Sequence, residues 1–281
     1  MGHNESSRGR KLVYLVIALI AAGISLLPVI WLVFTSFKDH DEIFASTPTL
    51  VPHHFTAIQY INLFVKDDYA QYIWNSIVIS AITTAVVLLL GILSAFGYSK
   101  FFSFKGKNTM FLFVLISRML PPIAIVVPLY VLFAAFGLLN TRLGLIFINS
   151  AIALPLAIWM LTTFFDDIPK SLIDAARIDG CNSFGILWYV IIPLSKSAIA
   201  STVTITFLTA WNLFLIPLIF GKSDSTQLLP VAISKLAYGE YGTAWGGLAA
   251  LSVAMIVPVA LIGLFGQRYL ASGLTAGAEK G

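Results

Sequence analysis

Long apolar stretches separated by polar segments make up most of this chain. Six stretches have the ~20 consecutive apolar residues that a helix needs to cross the hydrocarbon core of a bilayer. They cover about residues 12–37, 73–97, 109–134, 143–163, 198–220 and 243–266. None of the 13 acidic residues lies inside them, and of the 17 basic residues only Arg118 does. The pattern predicts an all-α integral membrane protein with six transmembrane helices.

The composition excludes the soluble classes of protein. Of the 281 residues, 58% are hydrophobic and 11% are charged, whereas a soluble domain has about 25% charged residues. The chain has too few charges to cover a surface in water, and it is too hydrophobic to be intrinsically disordered. A single cysteine, Cys181, excludes an internal disulfide and a cysteine-based zinc site. The net charge of +4 does not indicate nucleic-acid binding, because most basic residues mark the topology of the spans.

The distribution of Lys and Arg predicts the orientation in the membrane. Six spans place both termini on the same side, and if that side is the cytoplasm, eleven basic residues lie inside and five outside. The positive-inside rule then favours an N-in, C-in topology. We expect a cytoplasmic N-terminus at 1–11, a transmembrane domain at 12–268 and a cytoplasmic tail at 269–281.

The predicted inner segment 164–197 differs from the other connections, because it is too long for a turn and too polar to span a bilayer. Asp166 and Asp167 are placed to cap a helix, Pro169 suits its first turn, and Gly180 suits the position after its end.

A second helix start follows at Asn182-Ser183, with apolar residues at helical spacing, and Pro193 closes the piece. These signals predict a helix–glycine–helix unit at the inner membrane interface. A plain interfacial re-entry between two spans fits the same residues, and composition does not separate the two interpretations.

A pattern of residues in this segment decides between the two interpretations, because it resembles the signature of a known family. Asp174-Ala175-Ala176, then Gly180 after three residues, then Val190-Ile191-Ile192-Pro193 after nine more, resembles the "EAA" signature of ATP-binding-cassette (ABC) importer permeases. In that family the loop is a coupling helix that docks on a cytoplasmic ATPase. The resemblance therefore implies a type I importer fold, with ATPase coupling through Asp174, Ala175, Ala176, Gly180 and Pro193. Asp174, Val190 and Ile192 differ from the family's usual residues but keep charge or bulk, so they affect only the docking geometry.

Further stretches are similar to the carbohydrate importers within that family. They are Arg118–Pro122 with Pro128-Leu129-Tyr130, Leu138–Thr141 with Leu143–Ile146, Trp211-Asn212, and the end from Ser272 to Gly281. Leu213 stands where those proteins often have an acidic residue. The last stretch resembles the tail of the maltose-type second permease subunit, which implies that Gly273, Leu274, Thr275 and Gly277 contact the ATPase.

The resemblance also implies a division of labour among several proteins of a bacterial inner membrane system. This multi-pass chain would form half of the pore beside a homologous second permease subunit, above two copies of an ABC ATPase. A periplasmic or extracellular solute-binding protein would deliver the carbohydrate. No phosphate-binding loop occurs in the sequence, so ATP and Mg are expected on the ATPase, with no cofactor, metal or catalytic residue in this chain.

Four polar residues within the spans are candidates for the translocation pathway or for helix breaks. Arg118 precedes Pro121-Pro122, and an arginine at membrane depth is costly unless it faces a partner or water. It fixes the broken helix, lines the pathway, or extends to the interface. Asn75, Asn149 and Asn212 either form hydrogen bonds between helices or contact the sugar.

The main alternative is an ion-coupled secondary transporter or channel subunit, and a third is an intramembrane enzyme. Both classes usually need a carboxylate or histidine at membrane depth, and all such residues, including the four histidines, lie outside the predicted spans. Both also leave the inner segment 164–197 unexplained. We therefore predict a carbohydrate importer permease, whose particular sugar, polyol or related substrate the sequence does not identify.

Overall fold

The computed structural model describes residues 5–101, 105–238 and 243–275, and the side chains of 11–266 within those ranges. All regular structure in these residues is helical. The α-helices are α1 (Glu5–Thr35), α2 (His40–Ile43), α3 (Ile58–Ile61), α4 (Ala70–Phe96), α5 (Lys107–Ser117), α6 (Pro122–Ala135), α7 (Arg142–Asp166), α8 (Lys170–Ile178), α9 (Ser183–Ile186), α10 (Ile192–Leu194), α11 (Lys196–Trp211), α12 (Leu215–Phe220), α13 (Leu229–Ala237) and α14 (Trp245–Thr275). Single π-helical turns follow α3, α4 and α9, at Asn62–Lys66, Gly97–Phe101 and Leu187–Ile191.

Four helical segments are long and apolar enough to cross a membrane. They are Lys11–Thr35, Ala70–Phe101, Arg142–Asp166 and Trp245–Gly266. Two bent helix pairs pass the same test, and counting each pair as one span brings the number in the described residues to six. The prediction of an all-α membrane protein is confirmed.

The third predicted span is broken where its prolines predict. Helix α5 ends at Ser117, α6 begins at Pro122, and their axes meet at 94°. Pro121 and Pro122 have no backbone N–H to continue the ladder of α5, so the chain leaves the helical path and starts again.

The fifth predicted span needs a correction. A continuous helix over 198–220 was expected, but α11 ends at Trp211 and α12 starts at Leu215. Pro217 cannot donate to the carbonyl of Leu213, four residues earlier. At the end of α11 the backbone N–H and the side-chain amide of Asn212 both bond the Leu208 oxygen, at 3.1 and 2.8 Å. Helix α11 pairs with residues 183–194 across an 80° bend at Ser195.

Contacts divide the chain into two compact units, residues 1–70 with 233–256 and residues 71–232 with 257–281. In the second unit, α4 and α7 run side by side in the same direction. Ile79 shares a buried cluster with Leu145 near the start of both helices. Gly91 lies farther along, where an added Cβ would be 3.5 Å from the Cβ of Ala157. This close approach gives the unit a continuous core that reaches the segment 164–197.

Candidate functional site

A tight turn at Gly180 links α8 to α9. Gly180 has φ +84°, a left-handed conformation that L side chains rarely adopt. Its N–H donates to the Arg177 oxygen at 3.0 Å, and that of Cys181 to the Ala176 oxygen at 2.9 Å. These bonds close the end of α8 as expected for a glycine cap. A Cβ at Gly180 would meet no atom within 4 Å, so the turn is open on its outer side.

Asn182 starts the second helix as predicted, because its Oδ1 accepts a hydrogen bond of 2.8 Å from the N–H of Gly185. The prediction that Asp166 and Asp167 cap α8 is wrong. Helix α7 continues to Asp166, Asp167 follows it, and Pro169 takes the N-cap position of α8 without a side-chain bond. Asp166 instead accepts a hydrogen bond from the hydroxyl of Ser99.

Pro193 does not close the second helix, which is a further correction. It lies in the first turn of α10, where a missing N–H costs little. The helix continues to Leu194, and the chain bends at Ser195, which is buried. Pro193 itself is exposed.

One face of α8 is fixed to the ends of the membrane helices. Ile173 and Ala176 are buried in a cluster that also holds residues from α4, α7 and the segment after α9. The other members, on these elements, on α9 and in the link from α7 to α8, are Ala95, Phe96, Leu161, Phe165, Ile168, Ile186, Leu187 and Ile191. A force applied to α8 is therefore transmitted to α4 and α7 through direct packing, because close-packed cores transmit strain.

The other face of α8 and the turn are exposed. Asp174 and Ala175 point outward, and Ile178 and Phe184 are 86% and 72% exposed. Asp174 contacts Arg177 at 3.4 Å, an exposed pair that contributes little stability. The two neighbouring alanines lie on opposite faces of α8, because Ala176 is buried and Ala175 is exposed.

Arg118 lies at the break between α5 and α6 and is exposed. It lines a groove of about 550 Å³ with residues of α6 and α7, among them Leu129, Phe133 and Phe147. The guanidinium makes no hydrogen bond to a residue that the structure describes. The carbonyls of Leu115 and Ile116 already accept from the N–H groups of Arg118 and Met119. Among the described residues, the side-chain bonds expected of a helix-fixing arginine are absent, and the role of Arg118 in the pathway stays a prediction.

Asn75 is fully buried near the start of α4 and joins it to a distant loop. Its Nδ2 donates to the carbonyl oxygens of Asp224 and Gln227, at 2.8 and 3.0 Å. Its Oδ1 accepts from Arg142 Nη2 at 2.8 Å and from Gln71 Nε2 at 3.1 Å. Asn75 thus forms the interhelical bonding that was one of its two predicted roles.

A second polar centre, Asn140, was not singled out from the sequence. Its Oδ1 accepts from the N–H groups of Lys222 and Ser223 at 2.9 and 2.8 Å, and from the hydroxyl of Thr226 at 2.7 Å. Asn140 has φ +57°, a conformation in which Asn is enriched. The sequence offered one signal for Asn140, its position just before the N-cap residue Thr141. That signal does not identify its partners, which are over 80 residues away in the chain.

The remaining predicted residues lie apart from these two centres. Asn149 on α7 is 2% exposed, and neither its amide nitrogen nor its oxygen has a partner among the described residues. Asn212 is exposed and bonds only within its own helical turn, among the residues described. The backbone of α14 is helical through Gly273, Leu274 and Thr275, whereas Gly277 lies outside the described residues.

Comparisons with known proteins agree with this architecture. The family described as "Binding-protein-dependent transport system inner membrane component" matches residues 87–275. The sulfoquinovosyl glycerol transport system permease SmoH of Agrobacterium fabrum is 33% identical over 266 residues, which cover 93% of each chain. The trehalose/maltose transport system permease MalG of Thermococcus litoralis is 34% identical over 275 residues, covering 97% of this chain and 98% of MalG.

A solved structure has the same fold. It is a chain of a bacterial ABC transporter involved in import of the acidic polysaccharide alginate, with a TM-score of 0.79 and 22% identity. The match covers 94% of this chain and 97% of the other. The family match spans more than half of the chain, and the relatives are aligned over nearly their full length. The chain therefore belongs to the binding-protein-dependent transport system inner membrane components, as a multi-pass ABC importer permease of the inner membrane.

Proposed function

We propose that this permease forms half of the pore of an importer for a sugar, a polyol or a related carbohydrate. Two relatives with carbohydrate names, SmoH and MalG, align with more than nine-tenths of the chain, which supports the substrate class. The other half of the pore is a homologous permease. Two ABC ATPase subunits beneath them hold ATP and Mg, and a solute-binding protein delivers the substrate from outside.

The observation that carries the proposal is the two-faced segment around α8. Its inner face, Ile173 and Ala176, is buried against the ends of α4 and α7. Its outer face presents Asp174, Ala175 and the open turn at Gly180. An element fixed to the spans on one side and exposed on the other is suited to pass movement of a docked ATPase to the pore.

The mechanism is alternating access. Closure of the ATPase pair around ATP moves α8, and α4 and α7 follow because they share its buried cluster. The cavity between the two permeases then opens outward to receive substrate from the binding protein. In this mechanism Pro193, which is exposed, belongs to the surface that contacts the ATPase. The tail residues Gly273, Leu274, Thr275 and Gly277 also contact the ATPase.

In this proposal Arg118 lines the route of the substrate. It borders the groove of about 550 Å³ at the break of the third span, and a planar guanidinium offers five donors suited to hydroxyl groups. Asn149 is a second candidate, because its buried amide has bonding capacity that no described residue uses. Asn75 and Asn212 are structural, given the bonds reported above.

Reconstitution of the complete importer tests the proposal. The permeases, ATPase and binding protein are placed in liposomes, and uptake of labelled disaccharides, oligosaccharides, polyols and glycerol phosphates is measured. We expect uptake of one class that requires both internal ATP and the binding protein. Uptake driven by an ion gradient without ATP would instead establish the secondary-transporter alternative.

A further inference from the structure

A buried lysine lines a small pocket beyond the end of α1. Lys38 is 3% exposed and follows α1 by three residues. The pocket has a volume of about 230 Å³, and its lining includes Trp31, Lys38, Glu42 and Trp245. All of these residues belong to the unit formed by residues 1–70 and 233–256. The charge distribution places this end of α1 at the outer surface of the membrane.

Lys38 forms no direct ion pair with a described carboxylate, although, after the hydrogen bond from Thr49, its charge is one of the causes that lower the pKa of Glu42 on the same pocket. Its Nζ donates to the Thr49 carbonyl oxygen and lies 5.1 Å from the ring centroid of Trp31. An ammonium group has three donors, and the described residues accept one hydrogen bond from it. Because buried charges are normally paired, the pocket is suited to an anionic group.

The surrounding structure fixes Lys38 in place. Its carbonyl oxygen accepts a hydrogen bond of 3.1 Å from Gln59 Nε2, and Thr56 N–H donates to the oxygen of Phe37 at 2.9 Å. The amide of Gln59 fits only because Gly246 has no side chain, since a Cβ there would lie 2.3 Å from the Gln59 Cδ. These backbone and side-chain contacts therefore hold Lys38 in a fixed position at the pocket.

Glu42 adds a negative group on the same pocket. Its Oε1 accepts from Thr49 Oγ1 at 2.7 Å and from the His53 N–H at 3.0 Å. No described residue bonds its Oε2, which can accept from a ligand. Lys38 and Glu42 line one pocket without a direct ion pair between them, and this arrangement matches a zwitterion. Trp31 and Trp245 beside them are typical of the membrane–water interface, where lipid headgroups lie.

We propose that this pocket binds a phospholipid headgroup of the outer leaflet. Lys38 binds the phosphate, Glu42 accepts from the ammonium group of ethanolamine, and the indoles of Trp31 and Trp245 flank the headgroup. The lipid would tie the end of α1 to the outer loop, whatever substrate the transporter carries.

Native mass spectrometry of the full-length protein, extracted in detergent with its bound subunits, tests the assignment. Short-chain phosphatidylethanolamine, phosphatidylcholine and phosphatidylglycerol are titrated in parallel with inorganic phosphate and a uronic acid. We expect phosphatidylethanolamine to bind best. Lys38→Met should weaken binding about tenfold or more, because a charge-assisted hydrogen bond is lost, while Lys38→Arg restores most of it. Glu42→Gln should reduce the preference for ethanolamine over choline.

Lys66→Met is the matched control, because Lys66 is an exposed lysine of the same outer segment, and it should leave binding unchanged. Equal lipid binding by Lys38→Met and the wild type would overturn the proposal. So would phosphate or the uronic acid competing fully with the lipid, since the site would then serve a soluble anion.

Discussion

Replacement of Asn75 by alanine should destabilise the outer end of the pore domain far more than its size suggests. The change removes four hydrogen bonds and leaves two loop carbonyls and the Arg142 guanidinium without this partner. Each buried polar group that loses its partner costs about 1–3 kcal/mol. Water reaches the outer end more easily than the core, so we expect a total of about 3 kcal/mol.

A loss of that size should lower the unfolding midpoint by roughly 6–12 °C, measured by tryptophan fluorescence in detergent. Asn212→Ala is the matched control, because that exposed amide bonds only the Leu208 carbonyl within its own helix and should shift the midpoint by about 2 °C or less. A cysteine at Ser225 in the bound loop should also react faster with thiol reagents in the Asn75→Ala background. Equal midpoint shifts for the two alanine variants would refute the assignment of Asn75 as a structural centre.

Three further predictions concern the outer loop, the orientation and the groove. The hydrogen bond from Thr49 holds the pKa of Glu42 below its usual 4.5. The ionised Glu42 carboxylate therefore stabilises the outer loop fully above pH 4.5, and this stabilisation is lost as the pH falls through the lower pKa of the folded state. Hydrogen exchange of the loop at neutral and acidic pH should show this loss, and Glu42→Gln should remove the difference. A cysteine at Ser225 should react with an impermeant reagent from outside and one at Ser171 should not; opposite labelling would overturn the N-in topology. Arg118→Lys should alter substrate affinity at normal complex yield, whereas reduced yield with unchanged affinity would assign Arg118 to the helix break.

Hydropathy was sufficient to find the membrane segments but not their shapes. A run of apolar residues reports how long a helix can be in lipid, so the spans represented by α4, α7 and α14 lie close to their predicted ranges. Pro121 and Pro122 identified one break directly. The end of α11 at Trp211 and the bend at Ser195 depend on packing and on local side-chain bonds, which hydropathy does not measure.

The segment 164–197 was predictable to a similar degree. Gly180 and Asn182 were identified because a left-handed cap and an N-cap have local sequence signatures. The assignments of Asp166 as a helix cap and of Pro193 as a helix end were wrong, since helix ends are set by what each element packs against. The loop partners of Asn75 and Asn140 could not be predicted, because they lie about 80 to 150 residues away in the chain.

Substitution at Gly180 tests the central claim, that the α8–α9 segment couples the pore to an ATPase. The complete importer is reconstituted with Gly180→Trp, and uptake is measured together with the ATP hydrolysis that the loaded binding protein stimulates. Gly180→Asn is the control for conformation, because Asn tolerates the left-handed backbone. Gly137→Trp is the control for strain, because Gly137 has φ +65° and open space around it at the predicted outer surface.

Gly180→Trp should leave the complex assembled while uptake and stimulated hydrolysis both fall sharply, and the two control variants should keep both activities. If the assembled Gly180→Trp importer retains uptake and stimulated hydrolysis at the level of the wild type, the segment is not the coupling element and the account is wrong.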